Sequence, residues 1–101
     1  MTDIKQLISI VIPVFNESES IGFLLDEVIN VMSFHKFNFE LIVVNDGSKD
    51  NTYQVLTELT LKIKELSVIS LRKNYGQTAA MSAGFDHSKG CLLYTSDAAD
   101  D

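Results

Sequence analysis

The side chains of this chain that could bind a ligand fall into three short clusters of polar residues and glycines. The clusters are PVFNE at 13–17, NDGSKDNT at 45–52 and RKNYGQ at 72–77. Glu17 carries a carboxylate that could accept hydrogen bonds from a ribose diol. Asp46 could accept from a donor on a nucleobase, and Gly47 would let a ligand approach the backbone. The cations Arg72 and Lys73 could clamp a diphosphate or a base edge.

Each cluster also has a structural interpretation that the residues alone leave open. Pro13 could end a strand, Asn16 could cap the following helix, and Glu17 could stabilise that helix terminus by its charge. The second cluster could be a glycine turn followed by a helix cap. The third could be an exposed loop with ordinary basic residues.

Apolar, β-branched runs precede the clusters and predict buried strands. They cover 7–15, 41–44 and 68–71. Helical spacing of apolar residues separates these runs, so strand and helix alternate, which favours right-handed βαβ units and a mainly parallel α/β sheet. Ligands of such sheets bind outside the carboxyl ends of the strands, where all three clusters would converge.

The predicted helices cover 18–32, 52–66 and 78–87. Asn16, with Glu19 three residues later, predicts a cap for the first helix, and Asp50 or Asn51 could cap the second. Small residues in the third helix would let it pack closely against the sheet; they are Ala79, Ala80, Ser82, Ala83 and Gly84. Gly90 would end that helix or lead into a fourth strand.

Composition excludes several classes of function. The 101 residues carry eight Lys and Arg against fourteen Asp and Glu, a formal net charge of −6, which argues against binding nucleic acid through its phosphates. The single cysteine, Cys91, excludes an internal disulfide and fits a reducing compartment. No apolar run approaches the ~20 residues of a spanning helix, so we expect one cytoplasmic α/β domain.

A different class of protein is an alternative interpretation of the same alternation: a non-catalytic receiver-like or interaction domain of flavodoxin-like topology. Phosphoacceptor chemistry in that fold needs acidic residues at the ends of the first and third strands. The third strand here is followed by Arg72 and Lys73, which speaks against it.

Three segments, taken together, resemble the family 2 glycosyltransferases. They are ISIVIPVFNESESI, FELIVVNDGSKDNT and ISLRKNYGQTAAMSAGFDHSKG, in that order, and the resemblance covers about residues 7–90. The last segment is most similar to the polyprenyl-phosphate branch, which includes dolichyl-phosphate mannose synthases and undecaprenyl-phosphate sugar transferases.

The resemblance implies a GT-A fold, a Rossmann-like sheet that binds a nucleotide-diphosphate sugar. It places Pro13, Phe15 and Glu17 along the base and ribose and assigns Asp46 a hydrogen bond to the base. The third segment contributes two further nucleotide-sugar-binding residues, Lys73 and Gly76. Lys73 stands where the family usually has arginine, so a bidentate contact becomes a point-charge contact.

The implied reaction transfers the sugar to a dolichyl or undecaprenyl phosphate with inversion at the anomeric carbon. The partners are therefore a nucleotide-diphosphate sugar donor and a lipid-phosphate acceptor, at the cytoplasmic face of a membrane. An alternative within the family is transfer to a polysaccharide or another glycan. The resemblance assigns no catalytic residue.

The resemblance also implies a divalent metal, Mg²⁺ or Mn²⁺, held by an Asp-x-Asp motif. In register, Asp97 meets the first aspartate, but Ala99 occupies the position of the second. Residues 91–101, CLLYTSDAADD, look like read-through into cloning or adapter DNA. We therefore expect 1–90 to be the N-terminal portion of a GT-A domain, 91–101 to be an anomalous tail, and the fragment itself to be inactive.

Overall fold

Four parallel strands and three helices alternate along residues 7–94. The structure is a computed structural model and describes residues 7–94. The elements are β1 (Leu7–Val14), α1 (Ile21–Phe34), β2 (Asn38–Asp46), α2 (Thr52–Thr60), β3 (Leu66–Leu71), α3 (Gln77–His87) and β4 (Cys91–Tyr94). The predicted α/β class, the parallel sheet and the fourth strand after Gly90 are confirmed.

The two central strands are apolar on both faces because helices cover both sides of the sheet. In β1, Ile10 and Ile12 belong to the larger core cluster, which also contains Leu25 of α1 and Leu56 of α2. Val11, between the two isoleucines, belongs to a second cluster with buried Ala80 of α3. Alternation of side chains along a strand produces this division. Helices α1 and α2 therefore cover one face of the sheet, and α3 covers the other.

Strand β2 is longer than its apolar run predicts. It begins at Asn38 because Asn38, Phe39 and Glu40 pair with the first three residues of β1. It continues to Asp46, which pairs with Leu71 of β3. Pairing with β1 and β3 keeps the polar ends of β2 in the sheet, and the hydrophobicity of the β2 segment alone does not predict this pairing.

The prediction that the second helix continues to Leu66 is wrong. Helix α2 ends at Thr60, and Leu66 is the first residue of β3, where it pairs with Leu41. The carbonyl of Glu65 also accepts a hydrogen bond from the Leu41 N–H at 2.9 Å. Ile63 and Leu66 have helical spacing, but pairing with β2 fixes the backbone of this segment.

The strand order is β3-β2-β1-β4. This is the order of a Rossmann-type half, whereas a flavodoxin-like sheet has β1 between β2 and β3. The flavodoxin-like alternative is therefore wrong. The chain proceeds outward from β1 to β3 and then crosses to the other side of β1, so β1 and β4 flank the point where the direction of winding reverses.

The helices in the described range 7–94 are short. The longest, α1, has 14 residues, about 21 Å at the usual rise. None of them is long and apolar enough to cross a membrane.

Candidate functional site

Three loops meet at the carboxyl edge of the sheet, as predicted. They follow β1, β2 and β3 and occupy 15–20, 47–51 and 72–76. Hydrogen bonds join the first loop to the second, and the third loop to Asp46, the strand residue directly before the second loop. The three predicted clusters therefore form one continuous surface.

Asn16 connects the first two loops. Its N–H donates to Ser48 Oγ at 2.8 Å, and its Oδ1 accepts from the N–H groups of Lys49 at 2.8 Å and Asp50 at 3.4 Å. Its φ of 55° lies in the left-handed region, which asparagine tolerates better than most residues. The prediction that Asn16 caps α1 is wrong, because the N-cap is Ser20 and no side chain caps that helix.

Asp50 makes the second connection between these loops. Its Oδ1 accepts from the Thr52 N–H at 2.9 Å and from the Thr52 hydroxyl, and its Oδ2 accepts from Ser18 Oγ at 3.1 Å. The Thr52 oxygen in turn accepts from the Glu17 N–H at 3.0 Å. Hydrogen bonds from Thr52 hold the pKa of the Asp50 carboxyl below its ordinary value. Of the two predicted caps for α2, Asp50 binds the first turn, and Asn51 makes no side-chain cap bond.

Glu17 lies in an acidic depression on the first loop. Its Oε1 accepts from Ser20 Oγ at 2.7 Å. The depression has a volume of about 310 Å³ and is lined by Asn16, Glu17, Ser18, Glu19, Ser20 and Asp50. Three carboxylates in so small a space repel phosphate but can accept hydrogen bonds from hydroxyl groups. The depression is therefore suited to the part of a ligand that carries hydroxyl groups.

Asp46, the last residue of β2, binds the third loop. It is 5% exposed, and its Oδ1 and Oδ2 accept from the N–H groups of Tyr75 at 2.9 Å and Gly76 at 3.0 Å. Gly47, with φ 71°, lies directly beneath the third loop. A Cβ on Gly47 would come within 2.2 Å of the Lys73 carbonyl carbon, so only glycine fits there.

The third loop presents the cations of the site. Lys73 is exposed, and its Nζ lies 5.4 Å from the ring centroid of Tyr75, a cation–π contact. Arg72 beside it is also exposed. Gly76 has φ 100° and donates its N–H to Asn74 Oδ1 as well as to Asp46. The Asp46 carboxylate holds the C-terminal end of this loop through the N–H groups of Tyr75 and Gly76, so Lys73 projects from a loop with a fixed backbone.

The remaining predicted residues lie at different depths. Phe15 is half-buried at the start of the first loop, whereas Pro13 is fully buried and offers no side-chain surface to a ligand in this structure. Asp97 lies outside the described residues. Within 7–94, no three His, Cys, Asp or Glu side chains are grouped so that they could hold a metal ion.

A second depression lies away from the three loops. It has a volume of about 480 Å³ between α2 and the edge strand β3, and its lining includes Tyr53, Thr57 and Ser67. None of the predicted site residues contributes to it.

Sequence comparison gives a family and relatives. The model of glycosyl transferase family 2 matches residues 9–100. An undecaprenyl-phosphate 4-deoxy-4-formamido-L-arabinose transferase of Edwardsiella ictaluri is 39% identical over 97% of this chain and 31% of its own length. A dolichyl-phosphate beta-glucosyltransferase of Trichomonas vaginalis is 40% identical over 87% of this chain and 28% of its own length.

Solved structures share the fold. TarS 1-349 of S. aureus, in complex with UDP, superimposes with a TM-score of 0.77 and 27% identity, covering 94% of this chain and 28% of that one. A mannosyltransferase of Pyrobaculum calidifontis, in complex with GDP-Man and Mn²⁺, gives a TM-score of 0.74 at 20% identity, covering 87% and 26%. The fold expected from the resemblance, a Rossmann-like GT-A sheet, is confirmed.

The chain spans about 30% of the length of the curated relatives it matches. Within that span, the family model covers nearly all of the sequence. The chain belongs to glycosyltransferase family 2.

Proposed function

We propose that this chain supplies the nucleotide-binding loops of a glycosyltransferase that transfers a sugar from a nucleotide-diphosphate sugar to a polyprenyl phosphate. The observation that carries the proposal is the continuous surface formed by the loops after β1, β2 and β3, with carboxylates at one end and cations at the other. The relatives named as undecaprenyl-phosphate and dolichyl-phosphate transferases support the choice of acceptor. A lipid acceptor would place the enzyme at the cytoplasmic face of a membrane.

The charges along this surface suggest how a nucleotide-diphosphate sugar would lie. Glu17, in its acidic depression, would accept hydrogen bonds from ribose hydroxyls, and half-buried Phe15 would offer an apolar edge to the base. Lys73 would bind the diphosphate as a point charge, because an ammonium lacks the planar fork of a guanidinium. Gly76 would let the backbone of the third loop approach the ligand closely.

The proposed reaction is an in-line displacement at the anomeric carbon. A phosphate oxygen of the acceptor forms the new bond to that carbon, the bond to the nucleotide diphosphate breaks, and the diphosphate leaves with the electron pair. The acceptor is already an anion, so positioning and stabilisation of the leaving charge are the main demands on the protein. Lys73, with Arg72 beside it, would contribute to that stabilisation.

A divalent metal, Mg²⁺ or Mn²⁺, is part of the proposal for the whole enzyme, where it would neutralise the leaving diphosphate. In the described part of the chain, no three potential ligands are grouped so that they could hold a metal ion. Asp97, the proposed ligand, lies outside 7–94. We assign no step to the metal.

Calorimetric titration of the chain with UDP and GDP tests the proposal. We expect binding with a Kd of about 1 mM or tighter for at least one nucleotide. Lys73→Gln should weaken binding about tenfold, the effect of losing one charge-assisted contact. Lys62→Gln is the matched control, because Lys62 is an exposed lysine just after α2, away from the three loops.

Each variant must keep the far-ultraviolet circular dichroism spectrum of the wild type, so that a loss of binding reports the site. Absence of binding by folded wild-type protein would refute the proposal. Equal effects of Lys73→Gln and Lys62→Gln would refute the role given to the third loop.

A further inference from the structure

The backbone of Glu17 is held by the first turns of two helices. Its N–H donates to Thr52 Oγ1 at 3.0 Å, and Thr52 is the first residue of α2. Its carbonyl accepts from the N–H groups of Ser20 at 3.1 Å and Ile21 at 2.9 Å, where α1 begins. Because helices hold a site more rigidly than loops do, these bonds fix the position of Glu17 on the first loop.

The hydroxyl group of Thr52 has a defined direction. The residue is 0% exposed, and its hydroxyl donates to Asp50 Oδ1, because an ionised carboxylate can only accept. With its proton directed to Asp50, the hydroxyl oxygen accepts from the Glu17 N–H. The Thr52 N–H donates to the same Asp50 oxygen at 2.9 Å. The Asp50 carboxylate therefore orients the group that holds Glu17.

The carboxylate of Glu17 is half-buried in the acidic depression on the first loop. Its Oε1 accepts from Ser20 Oγ at 2.7 Å. A binding group must be held to within about 0.5 Å of its productive position. Release of the Glu17 N–H from α2 would therefore displace the carboxylate from the hydroxyl groups of a ligand. The loop that carries Lys73 is held by Asp46 instead.

We infer that Thr52 is a positioning residue, which holds Glu17 so that its carboxylate meets the ribose hydroxyls of the ligand. This inference rests on the proposed function for the identity of the ligand. The consequence is one of specificity. Thr52 supports the binding of ribonucleotides in preference to 2′-deoxyribonucleotides, and it does not contribute to the binding of a diphosphate that carries no ribose.

The first test is amide hydrogen exchange measured by NMR, which needs no ligand. Thr52→Val keeps the shape of the side chain but removes the acceptor of the Glu17 N–H, so exchange at Glu17 should accelerate about fivefold. Thr52→Ser keeps the hydroxyl and should retain the wild-type rate. Thr57→Val is the matched control, because Thr57 is an exposed threonine of the same helix whose hydroxyl donates to the Tyr53 carbonyl at 2.9 Å. Unchanged exchange at Glu17 in Thr52→Val would overturn the inference.

The second test compares ligands with and without the 2′-hydroxyl. The wild type should bind UDP about fivefold more tightly than 2′-deoxy-UDP, or GDP than 2′-deoxy-GDP, which is the effect of one hydrogen bond. Thr52→Val should reduce this ratio below about twofold and leave the Kd of inorganic pyrophosphate unchanged. Thr52→Ser should retain the ratio. Equal weakening of nucleotide, deoxynucleotide and pyrophosphate in Thr52→Val would show a merely structural role and would overturn the inference.

Two further variants show whether the effect passes through Glu17. In a Glu17→Ala background, Thr52→Val should change the ribose preference no further, whereas an additive loss would contradict the inference. Asp50→Ala leaves the buried threonine intact and alters an exposed position. It removes the acceptor that orients the Thr52 hydroxyl, so it should also accelerate exchange at Glu17. Each variant must keep the circular dichroism spectrum of the wild type.

The outcomes for the wild type separate this inference from the proposed function. If the folded chain binds UDP and 2′-deoxy-UDP equally, and GDP and 2′-deoxy-GDP equally, the proposed function stands and the inference fails. If it binds no nucleotide, both fail, and the exchange rate of Glu17 then decides only the contact with Thr52.

Discussion

Individual side chains at the carboxyl edge of the sheet make hydrogen bonds between loops that their residue types only partly predict. The sequence indicated that Glu17, Asp46 and Lys73 lie near one another in the fold, because each follows a predicted strand. It did not indicate that Asn16 joins two loops or that Asp46 binds backbone N–H groups. Such contacts join residues about 30 positions apart and depend on the register of the parallel strands, which local patterns do not specify.

Asn16 allows the contribution of the loop contacts to be separated from that of backbone strain. Asn16→Gly removes the side-chain acceptor of Lys49 N–H but tolerates φ 55°, and should lower the free energy of unfolding by about 1 kcal/mol. Asn16→Ala removes the same acceptor and adds left-handed strain, so it should cost roughly 1 kcal/mol more. Urea unfolding of both variants measures the difference. Equal stability of the two would show that the left-handed conformation is not maintained.

Asp50 predicts a pH dependence. Hydrogen bonds from Thr52 lower its pKa from the ordinary 3.8, so the folded state binds the proton less readily than the unfolded state. The stabilisation is therefore complete above the unfolded pKa and is lost as the pH falls through the folded pKa. The stability difference between wild type and Asp50→Asn should be constant from about pH 7 to 5 and shrink below about pH 4. A difference that stays constant down to about pH 2.5 would contradict the assignment.

At the level of elements, the sequence predicted how α3 packs against the sheet better than it predicted where α2 ends. The small residues of the third helix predicted close packing, which buried Ala80 and Gly84 confirm. The prediction is wrong for Ala79 and Ser82, which are exposed. The end of α2 was missed because Ile63 and Leu66 fit a helical period as well as they fit a turn and a strand. Pairing of Leu66 with Leu41 decides between the two, and it is a contact between distant segments.

A pair of glycine substitutions tests the packing of α3. A Cβ on Gly84 would lie 2.3 Å from Val11 Cγ1, and a β-branched side chain on a buried strand cannot turn away easily. Gly84→Ala should therefore destabilise the fold by about 1–3 kcal/mol in spite of its better helix propensity. Gly22→Ala in α1 is the control, since no atom lies within 4 Å of its added Cβ. It should be neutral or stabilising by up to about 1 kcal/mol, and a loss of stability equal to that of Gly84→Ala would refute the packing argument.

At the scale of the whole molecule, the parallel α/β class was predictable and the strand order was not. Alternation of strand and helix implies parallel pairing, but several orders of four strands satisfy it. The observed order places β4 beside β1 and so places the reversal of winding at β1, next to the loop that carries Phe15 and Glu17. The net charge of −6 does not show how charge is distributed over the site. Carboxylates line the depression on the first loop, and the cations lie on the third loop.

We propose that a nucleotide diphosphate binds across the three loops. NMR titration of the ¹⁵N-labelled chain with UDP and GDP tests it most directly, because shift changes identify the binding surface residue by residue. We expect changes confined to amides of 15–20, 46–50 and 72–77, and smaller changes in Lys73→Gln at the same ligand concentration. Changes centred on the depression between α2 and β3, around Tyr53 and Ser67, or no changes in the folded chain, would contradict it.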